Sequence, residues 1–143
     1  MIKNSKILIT GGSQGLGLEM ATQFIEQGNT VIVCARSVAM LEKAKQEHPT
    51  LITFVCDLSS ERDRINLCEW IKAEHPTTNV LINNAAIAHA MDFHADENSF
   101  EKLKRELETN LVAPIHLTKL LLPVLLKNQN PKVINITTGL VYV

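Results

Sequence analysis

The octet Thr10-Gly11-Gly12-Ser13-Gln14-Gly15-Leu16-Gly17 is the segment of this sequence best suited to hold a ligand with its backbone. Glycine has no Cβ, so such a run turns sharply and lets main-chain N–H groups come close to an anion. If a helix begins where the run ends, its free N–H groups and the positive end of its dipole add to the attraction for phosphate. A glycine-rich stretch alone is also an ordinary flexible turn; a strand before it and a helix after it favour the phosphate reading. Lys6-Ile7-Leu8-Ile9-Thr10 is a continuous apolar run of the kind that forms a buried parallel strand. Beyond the octet, Leu18, Ala21, Phe24 and Ile25 recur at helical spacing, and Gly28 stands where a left-handed residue ends a helix.

The same alternation continues along the chain. Thr30-Val31-Ile32-Val33-Cys34 is a β-branched strand, and Ser37 can cap a helix through Val38, Leu41 and Ala44 that stops before Pro49. Leu51 to Cys56 is a third strand, followed by Asp57-Leu58-Ser59-Ser60 and a helix carrying Ile65, Cys68 and Ile71, with Asp63 three residues after Ser60 as in a capping box. Asn79 to Ile82 is a fourth strand running into Asn83-Asn84-Ala85-Ala86. Asp96 and Asn98 are candidate caps for a long helix from Phe100 to Leu126, which Pro114 and Pro123 should kink or interrupt. Lys132 to Thr137 is a fifth strand. Strands alternating with amphipathic helices predict an α/β fold, a doubly wound parallel sheet covered on both faces, with any ligand beyond the carboxyl ends of the strands.

The pattern Thr-Gly-x-x-x-Gly-x-Gly at Thr10 to Gly17 resembles the cofactor fingerprint of the short-chain dehydrogenases/reductases, and the likeness extends along the whole chain. Asp57 and Leu58 follow the third strand where that family uses an Asp to hydrogen-bond an adenine ring. Asn83-Asn84-Ala85-Ala86 stands where the family usually carries Asn-Asn-Ala-Gly, beside the cofactor ribose. Asn110 matches a helix asparagine that holds a water in the family's proton relay, and Thr138 falls where the family presents its catalytic serine. Read alone, Asp57 also fits a turn carboxylate, Asn110 a satisfied buried amide and Thr138 a plain strand residue. The resemblance implies a Rossmann sheet in the order 3-2-1-4-5. It implies a cofactor site made of Thr10, Gly11, Ser13, Gln14, Gly15, Leu16, Gly17, Arg36, Asp57, Leu58, Asn84, Ala85 and Ala86. The implied reaction is hydride transfer between a nicotinamide cofactor and a carbonyl or alcohol substrate.

Cofactor preference turns on Cys34-Ala35-Arg36-Ser37, which has no carboxylate to accept from a ribose 2′-OH. The Arg36 guanidinium suits a 2′-phosphate and stacking on adenine, so NADP is expected over NAD, although Gln14 stands where many NADP-using members carry a second basic residue. Arg36 also fits a solvated surface arginine.

One departure bears on activity. The family pairs its serine with a Tyr-x-x-x-Lys motif about a dozen residues further on, the lysine bringing a phenol down from its usual pKa near 10. The one tyrosine here, Tyr142, is too near Thr138 to match, so the chain by itself is expected to be inactive and reads as the amino-terminal, cofactor-binding part of a longer enzyme. The alternative is a non-catalytic nucleotide-binding or self-associating module. Val133 to Thr137 would then be an apolar sheet edge, and a homo-oligomer through it or through the helix at Leu111 to Leu126 is expected.

Composition sets outer limits. A length of 143 residues fits one domain, with 45% apolar and 20% charged residues as in a globular fold. Fourteen Lys plus Arg against fifteen Asp plus Glu leave a net charge of -1, without the basic surplus that nucleic acid requires. The apolar stretch Leu117 to Leu126 is broken by Lys119 and Pro123 and is far shorter than the roughly 18 residues of a membrane span. The first residues lack the apolar region of a signal peptide, so a cytoplasmic protein is expected. Cys34, Cys56 and Cys68 read as buried free thiols, and the five histidines have no metal-site spacing.

Overall fold

The computed structural model describes residues 2–90, 92 and 94–137; Thr138, the candidate for the catalytic hydroxyl, lies outside the described residues. The elements run β1 (Lys6–Thr10), α1 (Gly15–Glu26), β2 (Thr30–Ala35), α2 (Val38–Glu47), β3 (Ile52–Val55), α3 (Glu61–Glu74), β4 (Val80–Asn83), α4 (Ser99–Leu107), a π turn (Glu108–Val112), α5 (Ala113–Leu125) and β5 (Lys132–Asn135). The five strands form one parallel sheet in the order β3-β2-β1-β4-β5, the doubly wound arrangement expected. Leu8 pairs with Ile32 on one side and Leu81 on the other, so the central strand is flanked by strands that are themselves apolar.

Alternation along the strands divides the core in two. Ile7, Ile9, Val31, Val33, Val80 and Ile82 pack against Ala21 of α1 and Leu41 and Ala44 of α2. Leu8, Ile32, Cys34 and Leu81 face the opposite way, onto Leu67, Cys68 and Ile71 of α3 and Leu117 and Leu121 of α5. Both faces of the inner strands are covered, which is why these strands read as unbroken apolar runs. All three cysteines are buried and free.

Local signals place the helix ends. Gly28 has φ +82, its N–H donates to the Ile25 carbonyl at 2.9 Å and the Asn29 N–H to the Phe24 carbonyl at 3.0 Å, the paired bonds of a Schellman ending for α1. Ser37 caps α2 by accepting from the Met40 N–H, and Ser60 caps α3 by accepting from the Asp63 N–H. Asp63, a methylene shorter than the usual Glu, turns its carboxylate to the Asp57 N–H at 2.9 Å instead of completing the box at the Ser60 N–H. Asn98 occupies the N-cap position of α4 without a side-chain cap bond, and Asp96 accepts from the Asn98 N–H instead.

The expected long helix is broken once. Pro114 has no N–H to give the Asn110 carbonyl, and the ladder slips to a π pattern in which the Ala113 N–H reaches the Glu108 carbonyl. Pro123 sits in the last turn of α5, which continues to Leu125. β5 stops at Asn135 rather than Thr137, although the Ile136 N–H still donates to the Asn83 carbonyl at 2.9 Å.

The amino ends of the strands are stitched by asparagine side chains. Asn29 Oδ1 accepts from the Ser5 N–H and its Nδ2 donates to the Ile2 and Phe24 carbonyls. Asn79 Oδ1 accepts from the Lys6 N–H, and its Nδ2 donates to the Gln129 carbonyl and Ser5 Oγ. Among the described residues no helix is long and apolar enough to cross a membrane.

Candidate functional site

At the carboxyl ends of the strands the glycine turn, the β2–α2 and β3–α3 loops, the segment after β4 and Thr109 enclose a cleft of about 370 Å³. The turn is shaped by contacts only glycine permits. A Cβ on Gly17 would stand 2.3 Å from the Gly11 carbonyl oxygen and 2.6 Å from Asn84 Nδ2. Gly15 has φ +55, yet a Cβ there would meet nothing within 4 Å; its place is set by backbone conformation and by the open space in front of it.

Thr10 lies beneath the cleft rather than on its wall and acts as a clamp. Its Oγ1 accepts from the N–H groups of Asn84 and Ala85, each at 3.0 Å. Asn84 Nδ2 returns the contact by donating to the carbonyls of Thr10 and Gly11 at 3.0 and 3.3 Å. The post-β4 segment and the glycine turn are therefore one hydrogen-bonded unit, tied to β2 by the Gly11 N–H to Cys34 carbonyl bond at 2.9 Å.

Gly11, Ser13, Gln14, Gly15, Leu16, Gly17, Arg36, Asp57, Leu58, Asn84, Ala85 and Ala86 all line this cleft. Arg36 is exposed at its rim. Asp57 is half-buried: burial pushes its carboxyl up, but hydrogen bonds from the Ser59 hydroxyl and N–H outweigh this, and with the charges of Arg105 and Arg36 hold it below the ordinary value. The Ser59 contacts measure 2.7 and 3.0 Å and the Arg105 contact 3.2 Å. Cys34 and Cys56 also line the cleft; the hydrogen bond between the two and the burial of Cys34 keep the Cys34 thiol protonated. Burial pushes Cys68 up to about 12.

Asn110 does not touch this cleft. It is exposed in the π turn, and its amide grips the main chain of Ile87, accepting from its N–H at 2.9 Å and donating to its carbonyl at 2.8 Å. Glu106, one turn earlier, accepts from the His89 N–H, so the segment after β4 is held at two points. Asn110 lines a second groove, of about 800 Å³, between α5, β5 and that segment, with Leu111, Ile115, Val133 and Ile136 among its apolar walls. Asn83 Nδ2 donates to Asn135 Oδ1 at 2.8 Å across the strands beside this groove.

Thr109, Ile87, Met40 and Cys56 line the first cleft although nothing in the sequence marked them as site residues. Ile87 and Thr109 adjoin segments that were so marked. Met40 could be found only by knowing that the first turn of α2 faces the cleft. Among the described residues no group of three or more His, Cys, Asp or Glu side chains could hold a metal ion.

The glycine turn can hold a dinucleotide's pyrophosphate on two structural grounds. Gln14, the N-cap of α1, makes no side-chain cap bond, and the first turn contains no acidic residue, so the positive end of the helix has no internal anion. Open space lies beyond Gly15 on the same side.

These features define a doubly wound α/β domain with a glycine turn opening its first helix, and comparison with known proteins makes the class specific. Residues 5–141 match the family model described as short chain dehydrogenase, and the chain belongs to that family. It is 42% identical over 139 residues to the protein named uncharacterized oxidoreductase DltE of Bacillus subtilis (strain 168), covering 97% of this chain and 55% of that one. The crystal structure of a short-chain dehydrogenase from Streptomyces avermitilis superposes with a TM-score of 0.81 at 26% identity, covering 94% of this chain and 49% of that one. A metagenomic short-chain oxidoreductase crystallised in complex with NADP shares the fold with a TM-score of 0.84 at 24% identity, over 95% of this chain and 63% of that one. The chain spans about half the length of the curated relatives it matches.

Proposed function

We propose that these residues form a single dinucleotide-binding domain, the cofactor-holding part of a cytoplasmic oxidoreductase that uses NADP in preference to NAD. The carrying observation is the glycine turn locked by Thr10 and Asn84 in front of a helix N-terminus without a side-chain cap. Backbone N–H groups of the turn and the start of α1 would hold the pyrophosphate. Arg36 would meet the 2′-phosphate, Asp57 the adenine amino group, and Ala85 and Ala86 would border the ribose. When bound, the cofactor supplies the hydride exchanged with a carbonyl or alcohol carbon. Asn110, by holding Ile87, would keep the segment between cofactor and substrate in place; by family resemblance it would hold a water in the proton path, and Thr138 would orient the substrate oxygen. Proton transfer itself would fall to a Tyr-x-x-x-Lys pair, which these residues do not contain.

Titration of the chain with NADPH and NADH, followed by cofactor fluorescence and calorimetry, tests this. Saturable binding stronger for NADPH is expected, with Arg36→Asp removing the preference. A folded sample that binds neither would overturn it.

A second reading, a non-catalytic self-associating module, draws on the exposed apolar residues Leu111, Ile115, Val133 and Ile136 around the second groove. In it the groove is covered by another copy of the chain. Sedimentation as a monomer at every concentration would count against it.

A further inference from the structure

Among the described residues Arg64 is the largest side chain sealed in the core, at 2% exposure, and nothing in the cofactor chemistry calls for it. Its guanidinium joins three elements. Nη1 donates to the Leu58 carbonyl at 2.6 Å in the β3–α3 loop, Nη2 meets Glu108 Oε1 at 2.8 Å at the start of the π turn, and Nε donates to His116 Nδ1 at 3.1 Å on α5. Replacing a buried ion pair with well-packed apolar side chains is often neutral or stabilising, so stability is a poor reason for an arginine here. Geometry is a better one, because a planar fork with donors at fixed angles sets distances between the groups it holds.

Those groups adjoin two segments that line the cleft. Leu58 lines it beside Asp57, and Glu108 precedes Thr109, which also lines it. Asn110 follows and pins Ile87, a further lining residue. The π turn is also where the helical ladder has lost a bond at Pro114, so its position is weakly set by its own backbone. We propose that Arg64 is a positioning residue that fixes the π turn against the β3–α3 loop, and thereby the Thr109 and Asn110–Ile87 wall of the cleft. Its effect on cofactor binding rests on the dinucleotide reading above; its effect on the π turn does not.

The test uses the full chain, 15N-labelled, as wild type and as Arg64→Met, Arg64→Lys and Glu108→Gln. The readouts are the Ile87 backbone amide and Asn110 side-chain amide resonances, together with NADPH affinity. A purely stabilising role would lower the unfolding midpoint but leave these native-state resonances in place. Arg64→Met is expected to displace both and to weaken NADPH binding by about tenfold or more, with Arg64→Lys recovering part of the loss. Unmoved resonances in Arg64→Met, or displaced resonances with unchanged affinity, would overturn the proposal. If Arg64→Met fails to fold, Glu108→Gln decides in the same way, since Glu108 is 36% exposed and its amide keeps the volume. If wild type binds neither NADPH nor NADH, the dinucleotide reading fails, and displacement or constancy of the two resonances still sustains or overturns the role of Arg64.

Discussion

Replacing Thr10 with Val tests how the glycine turn is held. Valine keeps the branched shape, so no cavity opens in a site that is 2% exposed. What disappears is the Oγ1 acceptor for the N–H groups of Asn84 and Ala85, both at 3.0 Å; the contact to the Ile82 carbonyl, at 3.5 Å, is at the limit and contributes little. An orphaned buried donor costs about 1–3 kcal/mol. Because Asn84 and Ala85 are half-buried, the lower part of that range applies to each, for a loss of about 2–3 kcal/mol. With a urea slope of about 2 kcal/mol per M, the unfolding midpoint should fall by about 1–1.5 M. Thr10→Ser removes a methyl group and keeps the acceptor, at a cost of about 0.8 kcal/mol. The more conservative change in shape should thus be the more damaging. A Thr10→Val protein within about 0.5 kcal/mol of wild type, or a Thr10→Ser protein less stable than it, would refute the clamp.

Three further outcomes are expected. Gly15→Ala places a Cβ in open space at φ +55, so it should cost only about 1 kcal/mol of stability while weakening NADPH binding by about tenfold or more; unchanged affinity would show that the turn does not cradle the ligand. Stability that depends on ionised Asp57 is complete above the ordinary carboxyl value of 3.8 and is lost as pH falls below it; Ser59→Ala should raise the folded-state pKa towards that value and so shrink this pH-dependent contribution. Carboxyl 13C titration checks this, and an unmoved Asp57 curve contradicts it. Ile115, 64% exposed, borders the apolar groove, so Ile115→Lys should reduce concentration-dependent association in sedimentation velocity, with no reduction excluding that face as the contact.

The strands were legible because both faces of a parallel sheet are buried, which leaves runs such as Ile7-Leu8-Ile9 and Val31-Ile32-Val33 uninterrupted by polar residues. Gly28, Ser37 and Ser60 were legible because their roles at helix ends follow from their own chemistry. The form of the break at Pro114 was not. Proline announces a disturbed ladder, but whether it yields a kink, a new helix or a π turn depends on what the neighbouring turn packs against. The roles of Thr10 and Asn110 were also only partly visible. Both stand in the expected motif, yet one works from below the cleft and the other from beside it, through hydrogen bonds to Ala85 and Ile87 that no local spacing encodes. Arg64 gave no signal, since an arginine within a helix of mixed charge looks solvated until the fold buries it.

A parallel sheet has two unlike ends, and this protein treats them oppositely. At one end Asn29 and Asn79 spend their amides on the main chain; at the other, the start of α1 has no side-chain cap. The consequence is a gradient of protection against hydrogen exchange. Amides near Ser5 and Lys6 should exchange only through large-scale unfolding, whereas those from Gly15 to Gly17 should exchange through small local openings. An anion seated at the glycine turn would slow exchange at the second end and leave the first unchanged, and that one-sided response would locate its binding site without a crystal.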